Sequence, residues 1–297
     1  MRQLLMISLL LLLSGCSENT KETTDLSEPY LGQKPPGDEP EIFAREIVST
    51  EDHHEMGITC MPDGREIYFA RSETMDISSN WAIWMVLEQN GTWAEPEIAP
   101  FSGVYRDFAP FITPDGKFML FFRQCPEDAG LQSGTWLVER KGDSWREPRF
   151  LVDAYCLTTA DFQTFYFCTP ASEETSRDIA MMTYENGEFS IPEKLKGEIN
   201  SEQFDAHGCI SHDGGMLVFD SARPGGFDRS DIYVSSRKNG GHWSQGYNLG
   251  EKINDGHNHI PSLSSDGKYL FFSSDDGDIY WVDAKAIWSL APGDLEQ

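Results

Sequence analysis

Residues 108–122 read FAPFITPDGKFMLFF, two apolar and aromatic runs joined by Pro114-Asp115-Gly116. Asp-Gly between two such runs predicts a β-hairpin, because glycine adopts positive φ without steric cost. The pattern recurs along the chain, in altered form in the last three copies. Its hairpin aspartates are Asp63, Asp115, Asp161, Asp213 and Asp266, spaced by 52, 46, 52 and 53 residues. Such spacing is typical of four-stranded propeller blades with loop insertions.

Each repeat continues with a third strand, an Asn-Gly or Lys-Gly turn and an outer strand that usually carries proline. The final copy stops after its third strand, near Val282, but residues 38–43 (DEPEIF) match the outer strand 93–98 (WAEPEI). An N-terminal strand that completes the last blade leaves the ring without an open edge. The sequence therefore predicts an all-β fold, a β-propeller of five four-stranded blades closed by an N-terminal outer strand. Six blades are the alternative.

The hairpins, the aromatic second strands and third strands such as Asp231-Ile232-Tyr233 resemble the TolB-type β-propeller repeat. This family consists of Pro-Asp-Gly relatives of the WD-repeat propellers and is common in bacterial envelope proteins. The resemblance covers about residues 40–282 and departs most at Ala160-Asp161-Phe162, which replaces Pro-Asp-Gly. It implies a propeller fold, whereas propellers host binding modules and enzymes alike. TolB carries a further N-terminal domain for which this chain has no room, so a role in the Tol system is not implied.

The N-terminus reads as a processing signal. Arg2 precedes the apolar run 4–13, which is short for a membrane span, and Leu13-Ser14-Gly15-Cys16 resembles the lipobox of bacterial lipoproteins. In such proteins the cysteine becomes the lipidated first residue, so Cys16 is the expected lipidation site. Ser17 rather than Asp follows it, which favours the outer membrane, on its periplasmic or outer face. An ordinary secretory signal is the alternative.

These observations divide the chain into three parts. Residues 1–15 are expected to form the signal peptide, residues 16–36 the lipidated cysteine and a flexible tether, and residues 37–297 a single propeller domain. The formal net charge of −26, from 49 acidic and 23 basic residues, argues against nucleic acid as a partner, since a phosphate backbone is bound by Lys and Arg. The expected partners are the membrane, through the lipid, and a protein or a carbohydrate.

Alignment of the five hairpin aspartates brings out one column of polar residues eight positions upstream. It contains Glu55, Asp107, Asp153, Asp205 and Asn258. Because each begins an innermost strand, these side chains are predicted to ring one mouth of the central channel, where they could hold a cation or a polyhydroxylated ligand. The alternative is that each caps its own blade by hydrogen bonding. Just beyond the second strands stand three arginines that either bind an anionic group or pair with carboxylates, namely Arg71, Arg123 and Arg223.

Five of the seven histidines lie in the same entry segments. They are His53, His54, His207, His257 and His259. Blades 4, 5 and 1 are consecutive once the ring closes, so these imidazoles and nearby carboxylates could bind a divalent transition metal or act in acid–base catalysis. The alternative is that they are simply polar, solvated loop residues. No motif such as His-Glu-x-x-His fixes a set of ligands.

Cysteines give one further candidate. Cys156 and Cys168 flank the Asp161 hairpin at nearly equal distances, which makes a disulfide between them possible in an oxidising compartment. The alternative is that all five cysteines after Cys16 are small buried hydrophobes.

Two functions remain open. The first is an envelope-anchored propeller that binds a protein or another ligand. The second is a carbohydrate-active enzyme, a glycosidase or lyase, that uses the acidic and histidine-rich channel mouth with or without metal. In that case Glu55, Asp107 and Asp205 would supply the acid, the base and a third carboxylate, by analogy of architecture alone. A catalytic set should break the symmetry of the ring, whereas the carboxylate column repeats. The binding propeller is therefore the preferred interpretation.

Overall fold

Five small antiparallel sheets stand in a ring in a computed structural model, which describes residues 28–170 and 176–290 of the chain. The molecule is a five-bladed β-propeller, which confirms the predicted all-β fold and the five-blade count over the six-blade alternative. Within the described ranges, helical structure is limited to 3-10 turns at Tyr30–Gly32 and Glu127–Ala129 and the short helix α1 (Lys285–Trp288). The predicted signal peptide, Cys16 and most of the tether lie outside the described residues.

The strands follow one another in chain order. The N-terminal strand is β1 (Glu41–Ile42). Blade 1 contains β2 (Glu55–Cys60), β3 (Glu66–Ser72), β4 (Trp81–Gln89), β5 (Thr92–Trp93) and β6 (Glu97–Ile98). Blade 2 contains β7 (Arg106–Ile112), β8 (Phe118–Gln124), β9 (Gly134–Lys141), β10 (Ser144–Trp145) and β11 (Arg149–Val152).

The remaining blades repeat this plan. Blade 3 contains β12 (Tyr155–Thr159), β13 (Thr164–Cys168), β14 (Ile179–Glu185), β15 (Glu188–Phe189) and β16 (Glu193–Lys194). Blade 4 contains β17 (Asp205–Ile210), β18 (Met216–Ser221), β19 (Asp231–Ser236) and β20 (Tyr247–Asn248). Blade 5 contains β21 (Asn258–Leu263), β22 (Tyr269–Ser274) and β23 (Ile279–Asp283).

The N-terminal strand closes the ring, as predicted. β1 pairs antiparallel with β23 and places Glu41 opposite Trp281. The next residue, Phe43, is fully buried, and its ring lies edge-on to Phe271 and Trp281 at centroid distances of 5.2 and 5.0 Å. Blade 5 thus obtains its fourth strand and part of its core from the opposite end of the chain.

The altered hairpin of blade 3 forms despite the loss of its glycine. Phe162 stands where the other repeats have glycine and adopts φ 57°, a conformation that costs an L-residue energy. The Asp161 carboxylate accepts hydrogen bonds from the amides of Gln163 and Thr164, both at 2.8 Å. The Phe162 ring stacks on Phe118 at 4.6 Å, so side-chain packing and the aspartate offset the strained backbone.

Every innermost strand carries a β-bulge at the same place. The register against the second strand shifts there in all five blades, and the first bulged residue has positive φ in each. These residues are Gly57, Ala109, Cys156, His207 and Ile260. All five line the central channel, whose free volume of about 30 Å³ is room for about one water molecule. This cavity is therefore too small for a ligand much larger than a water molecule.

Candidate ligand site at the mouth of the ring

Three members of the predicted carboxylate column are buried in ion pairs within their own blades. Glu55, Asp107 and Asp205 have side chains with no exposed surface. Each pairs with an arginine at or just beyond the end of the second strand. The pairs are Glu55 with Arg71 at 2.8 Å, Asp107 with Arg123 at 2.7 Å and Asp205 with Arg223 at 2.6 Å. The sequence had singled out these same arginines without fixing their partners.

Each arginine also reaches the loop that enters its blade. Arg71 donates to the Val48 carbonyl oxygen at 3.0 Å, and Arg123 donates to that of Phe101 at 2.6 Å. Arg223 donates likewise to Ile199 at 2.5 Å. The paired arginines thus hydrogen-bond to the loop that leads from one blade to the innermost strand of the next. This geometry matches the capping alternative, in which the repeated carboxylates hold the architecture together.

Blade 3 departs from the column. Phe108 and Tyr155 are equivalent, since each is the last paired residue before the bulge. The residue before Phe108 is Asp107, but the residue before Tyr155 is Ala154, because blade 3 has one residue fewer between this point and its hairpin. Asp153 therefore occupies a different structural position from Asp107 and its equivalents, and its role as a ligand residue remains a prediction. Asp153 is exposed and lies at the rim of a cleft.

Blade 5 replaces the ion pair with an amide. Asn258 is buried, and its Nδ2 donates to the Ile253 carbonyl oxygen at 2.6 Å. It therefore bonds to the incoming loop, as the arginines do in other blades.

Burial shifts the pKa values of the paired carboxylates. It raises the pKa of Glu55 to about 7 even though Arg71 and Thr50 oppose the shift. Burial likewise raises the pKa of Asp107 against the opposing effect of Arg123.

The predicted histidines separate into two groups. His53 Nδ1 lies 3.0 Å from the Ser72 carbonyl oxygen, and His207 Nδ1 lies 2.7 Å from Asp220 Oδ1. His257 and His259 stack on each other with ring centroids 5.1 Å apart and lie beside Asp275. His54 lines the same cleft as this pair. The structure thus brings His54, His257 and His259 together in one cleft. His207 lines a second cleft beside the first, and Asp205 lines neither of them.

The two predicted disulfide partners are buried free thiols. They contact each other through a hydrogen bond between side chains, and Cys168 Sγ accepts a hydrogen bond from the His207 amide at 3.0 Å. Cys156 is the bulged residue of β12, and Cys168 ends β13. The pair lies close together, as the sequence suggested, and its oxidation remains a prediction.

The clefts at this mouth form one continuous surface. One has a volume of about 750 Å³ and the other about 590 Å³, and both include Phe108 and Tyr155. Volumes of this order are typical of sites for small molecules. The larger cleft also contains Trp81, Arg106, Arg229 and the histidine pair, and the smaller one contains Phe122, Phe204 and Arg177.

Sequence reasoning missed most of these aromatic and arginine residues. Met56, Phe108, Tyr155 and His259 occupy the position just before the bulge, and all four line a cleft. This position directly follows the aligned column in four of the five blades, so the same alignment, read one residue further, would have added Met56 and Phe108 to His259, which was already a candidate. Asp275 and Arg229 lie in loops of unequal length, where alignment gives no signal.

Comparison with known proteins supports the fold. No family model matches the chain, and no curated protein matches it. A putative TolB from Agrobacterium tumefaciens is similar at 16% identity over 79% of each chain, with a TM-score of 0.52. TolB from Acinetobacter baumannii has 20% identity over 79% of this chain and 55% of that one, with a TM-score of 0.48.

A third similar structure is XC5397 from Xanthomonas campestris, described as a gluconolactonase. It shares 14% identity over 83% of this chain and 96% of its own, with a TM-score of 0.47. At these identities the likeness is one of fold, and TolB-like propellers are among the structures that share it. In the described part of the chain, no helix is both long and apolar enough to cross a membrane.

Proposed function

We propose that the protein is a ligand-binding β-propeller that takes a carbohydrate in the paired clefts at the ring mouth. One observation carries this proposal. Six buried side-chain polar atoms lack a hydrogen-bond partner among the described residues, and three of them, Arg106 Nε, His257 Nδ1 and His259 Nδ1, belong to side chains that line the larger cleft. A buried group left unpaired costs about 1–3 kcal/mol, and small rotations of these side chains would let a ligand in the cleft pair with them and remove that cost.

Aromatic rings form the surface that the two clefts share. Phe108 lies 5.2 Å from Phe122 and 6.0 Å from Tyr155, measured between ring centroids. The guanidinium of Arg177 lies over the Tyr155 ring at 5.2 Å. Aromatic faces pack on the apolar faces of sugar rings, and arginine, histidine and aspartate side chains hydrogen-bond to hydroxyl groups. This combination favours a polyhydroxylated ligand over a purely apolar one.

The enzyme alternative receives no comparable support. Glu55, Asp107 and Asp205 were its candidates for acid, base and third carboxylate, and each is fully buried against an arginine. A glycosidase needs two carboxyl groups that flank the scissile bond, about 5–9.5 Å apart and open to the substrate. These three side chains make their hydrogen bonds inside the blades and are not open to a substrate.

A carbohydrate array followed by calorimetry on the sugars retained tests the proposal. We expect the variant Phe108→Ala/Tyr155→Ala to lose at least about tenfold in affinity, which is 1.4 kcal/mol. The matched control is Phe227→Ala, because Phe227 is 53% exposed and lines neither cleft. The proposal fails if no carbohydrate binds, or if the double variant binds as tightly as the control.

We further propose that a lipid on Cys16 holds the propeller at the bacterial cell envelope, most simply at the outer membrane. Support comes from the apolar run 4–13 and the lipobox-like sequence that ends in Cys16. Metabolic labelling with palmitate should mark the parent protein and leave Cys16→Ala unlabelled. Equal labelling of both proteins would exclude this cysteine as the anchor.

A further inference from the structure

Two histidines at the start of the innermost strand of blade 5 point to the same side, His257 just before β21 and His259 within it. His257 and His259 are two residues apart on an extended backbone, so their side chains share one face while Asn258 between them points into the blade. Asp275 lies across from them, since its amide donates to the His257 carbonyl oxygen at 3.2 Å. One possible ligand atom from each of the three side chains lies within 4.8 Å of the other two.

Both imidazoles have nitrogen atoms that the fold leaves unused. Both Nδ1 of His257 and Nδ1 of His259 are buried, and neither has a hydrogen-bond partner among the residues that the structure describes. A neutral imidazole offers a lone pair on one ring nitrogen to a metal ion, and His257 Nε2 lies 3.6 Å from Asp275 Oδ1.

We propose that His257, His259 and Asp275 bind a divalent transition metal of the zinc type. Two imidazole nitrogens and one carboxylate oxygen match the ligands that Zn²⁺ takes, whereas Ca²⁺ and Mg²⁺ require oxygen ligands. Three protein ligands leave a fourth tetrahedral position, which is typical of zinc sites that bind water or substrate. All three residues line the larger cleft, so this position faces the space assigned to the ligand.

One existing contact competes with the metal. Arg229 forms an ion pair with Asp275, and the two side chains are 70% and 48% exposed. An ion pair so open to solvent contributes about 0–1 kcal/mol. The metal can therefore displace Arg229 from the carboxylate at small cost, because the guanidinium can turn into solvent.

The site differs from the one that the sequence suggested. His53 and His207 have other partners, and Asp205 is held by Arg223. Asp275 was not among the predicted ligands. The inference goes beyond the proposed carbohydrate binding and is tested separately, because metal binding can be measured with no sugar present. A bound metal would occupy histidine nitrogens that could otherwise pair with a sugar.

Titration of the purified metal-free full chain, with Cys16→Ala in every sample, tests the proposal. Zn²⁺ is followed by calorimetry, and Co²⁺ by its visible absorption, which reports tetrahedral coordination. We expect one Zn²⁺ per chain. The variant His257→Ala/His259→Ala should bind Zn²⁺ at least about 100-fold more weakly, since even outer-shell changes cost about 10–100-fold.

The matched control is His212→Ala/His242→Ala, which removes two exposed histidines outside both clefts and should bind like the parent. If the first double variant misfolds by circular dichroism, Asp275→Asn replaces it, with an expected loss of at least about tenfold. Absence of stoichiometric Zn²⁺ in the parent, or equal affinity in the ligand variants and the control, would overturn the proposal.

Discussion

Arg123 clasps Asp107 with two hydrogen bonds, from Nε at 2.7 Å and from Nη2 at 2.9 Å, and both side chains are almost wholly buried. The same guanidinium donates to the Phe101 carbonyl oxygen on the incoming loop. Equivalent arginines serve blades 1 and 4. The repeated carboxylates of this propeller are therefore parts of its framework.

Removal of the arginine should show how much a buried carboxylate without its counterion destabilises the fold. We expect Arg123→Ala to lower the free energy of unfolding by about 3–5 kcal/mol, since Asp107 then stays buried without its counterion. Lys117→Ala is the control, because its pair with Asp115 is largely exposed and should contribute less than about 1 kcal/mol. Urea denaturation measures both values. Equal losses would show that the buried pair has no special role.

A second prediction concerns β1, the strand that closes the ring. Phe43 is fully buried between Phe271 and Trp281, so Phe43→Ala should destabilise the protein by about 3–5 kcal/mol. Ile98 belongs to an outer strand of blade 1 but is 45% exposed. Ile98→Ala should change stability by no more than about 0.5 kcal/mol. A small effect of Phe43→Ala would mean that closure does not hold the ring together.

The buried His207 should make stability depend on pH. Burial is the largest influence and disfavours its charged form, but the charge and hydrogen bond of Asp220, together with Cys168, outweigh burial and Arg177 and raise the pKa of His207. The pair therefore stabilises the fold fully below about pH 6.5, where an unfolded histidine is protonated. This contribution is lost as pH rises through the raised pKa of the folded state.

The variant His207→Gln isolates this contribution. In urea denaturation at about pH 6 and about pH 9, the parent should lose more stability between the two conditions than His207→Gln does. His242→Gln, which alters an exposed histidine, should follow the parent. A pH dependence shared by all three proteins would rule out the His207–Asp220 pair as its source.

Oxidation tests the cysteine pair. Burial opposes ionisation of Cys168, but the hydrogen bond with Cys156 and the charge of His207 outweigh it and lower the pKa of Cys168 to about 7. The lowered pKa favours the thiolate of Cys168, which is the form that attacks a disulfide. With oxidised glutathione we expect an internal disulfide, seen as the loss of two hydrogens from the intact mass. Cys156→Ser should prevent it, and an unchanged parent mass would contradict the prediction.

The sequence was sufficient for the fold because hairpin chemistry repeats. Asp115 and its counterparts marked each blade, and residues 38–43 matched an outer strand closely enough to predict ring closure. The site was harder to predict for two physical reasons. A single missing residue in blade 3 moved Asp153 out of the column, and burial turned Glu55 and its equivalents into structural ion pairs.

The proposed metal ligands could also be predicted from the sequence only in part. His257 and His259 were visible as a pair two residues apart, but Asp275 meets them through strand pairing and a loop contact. Only the register of β21 against β22 places that carboxylate beside the imidazoles. Repeat alignment cannot supply this information, since the loops after the second strands differ in length from blade to blade.

Crystallographic soaking with a panel of mono- and disaccharides tests the central claim most directly. The account predicts a sugar ring packed on Phe108 or Tyr155, with hydrogen bonds to at least one of Arg106, His257 and His259. Sugars bound only on the outer faces of the blades, with the mouth clefts left free, would contradict the assignment of this surface as the ligand site.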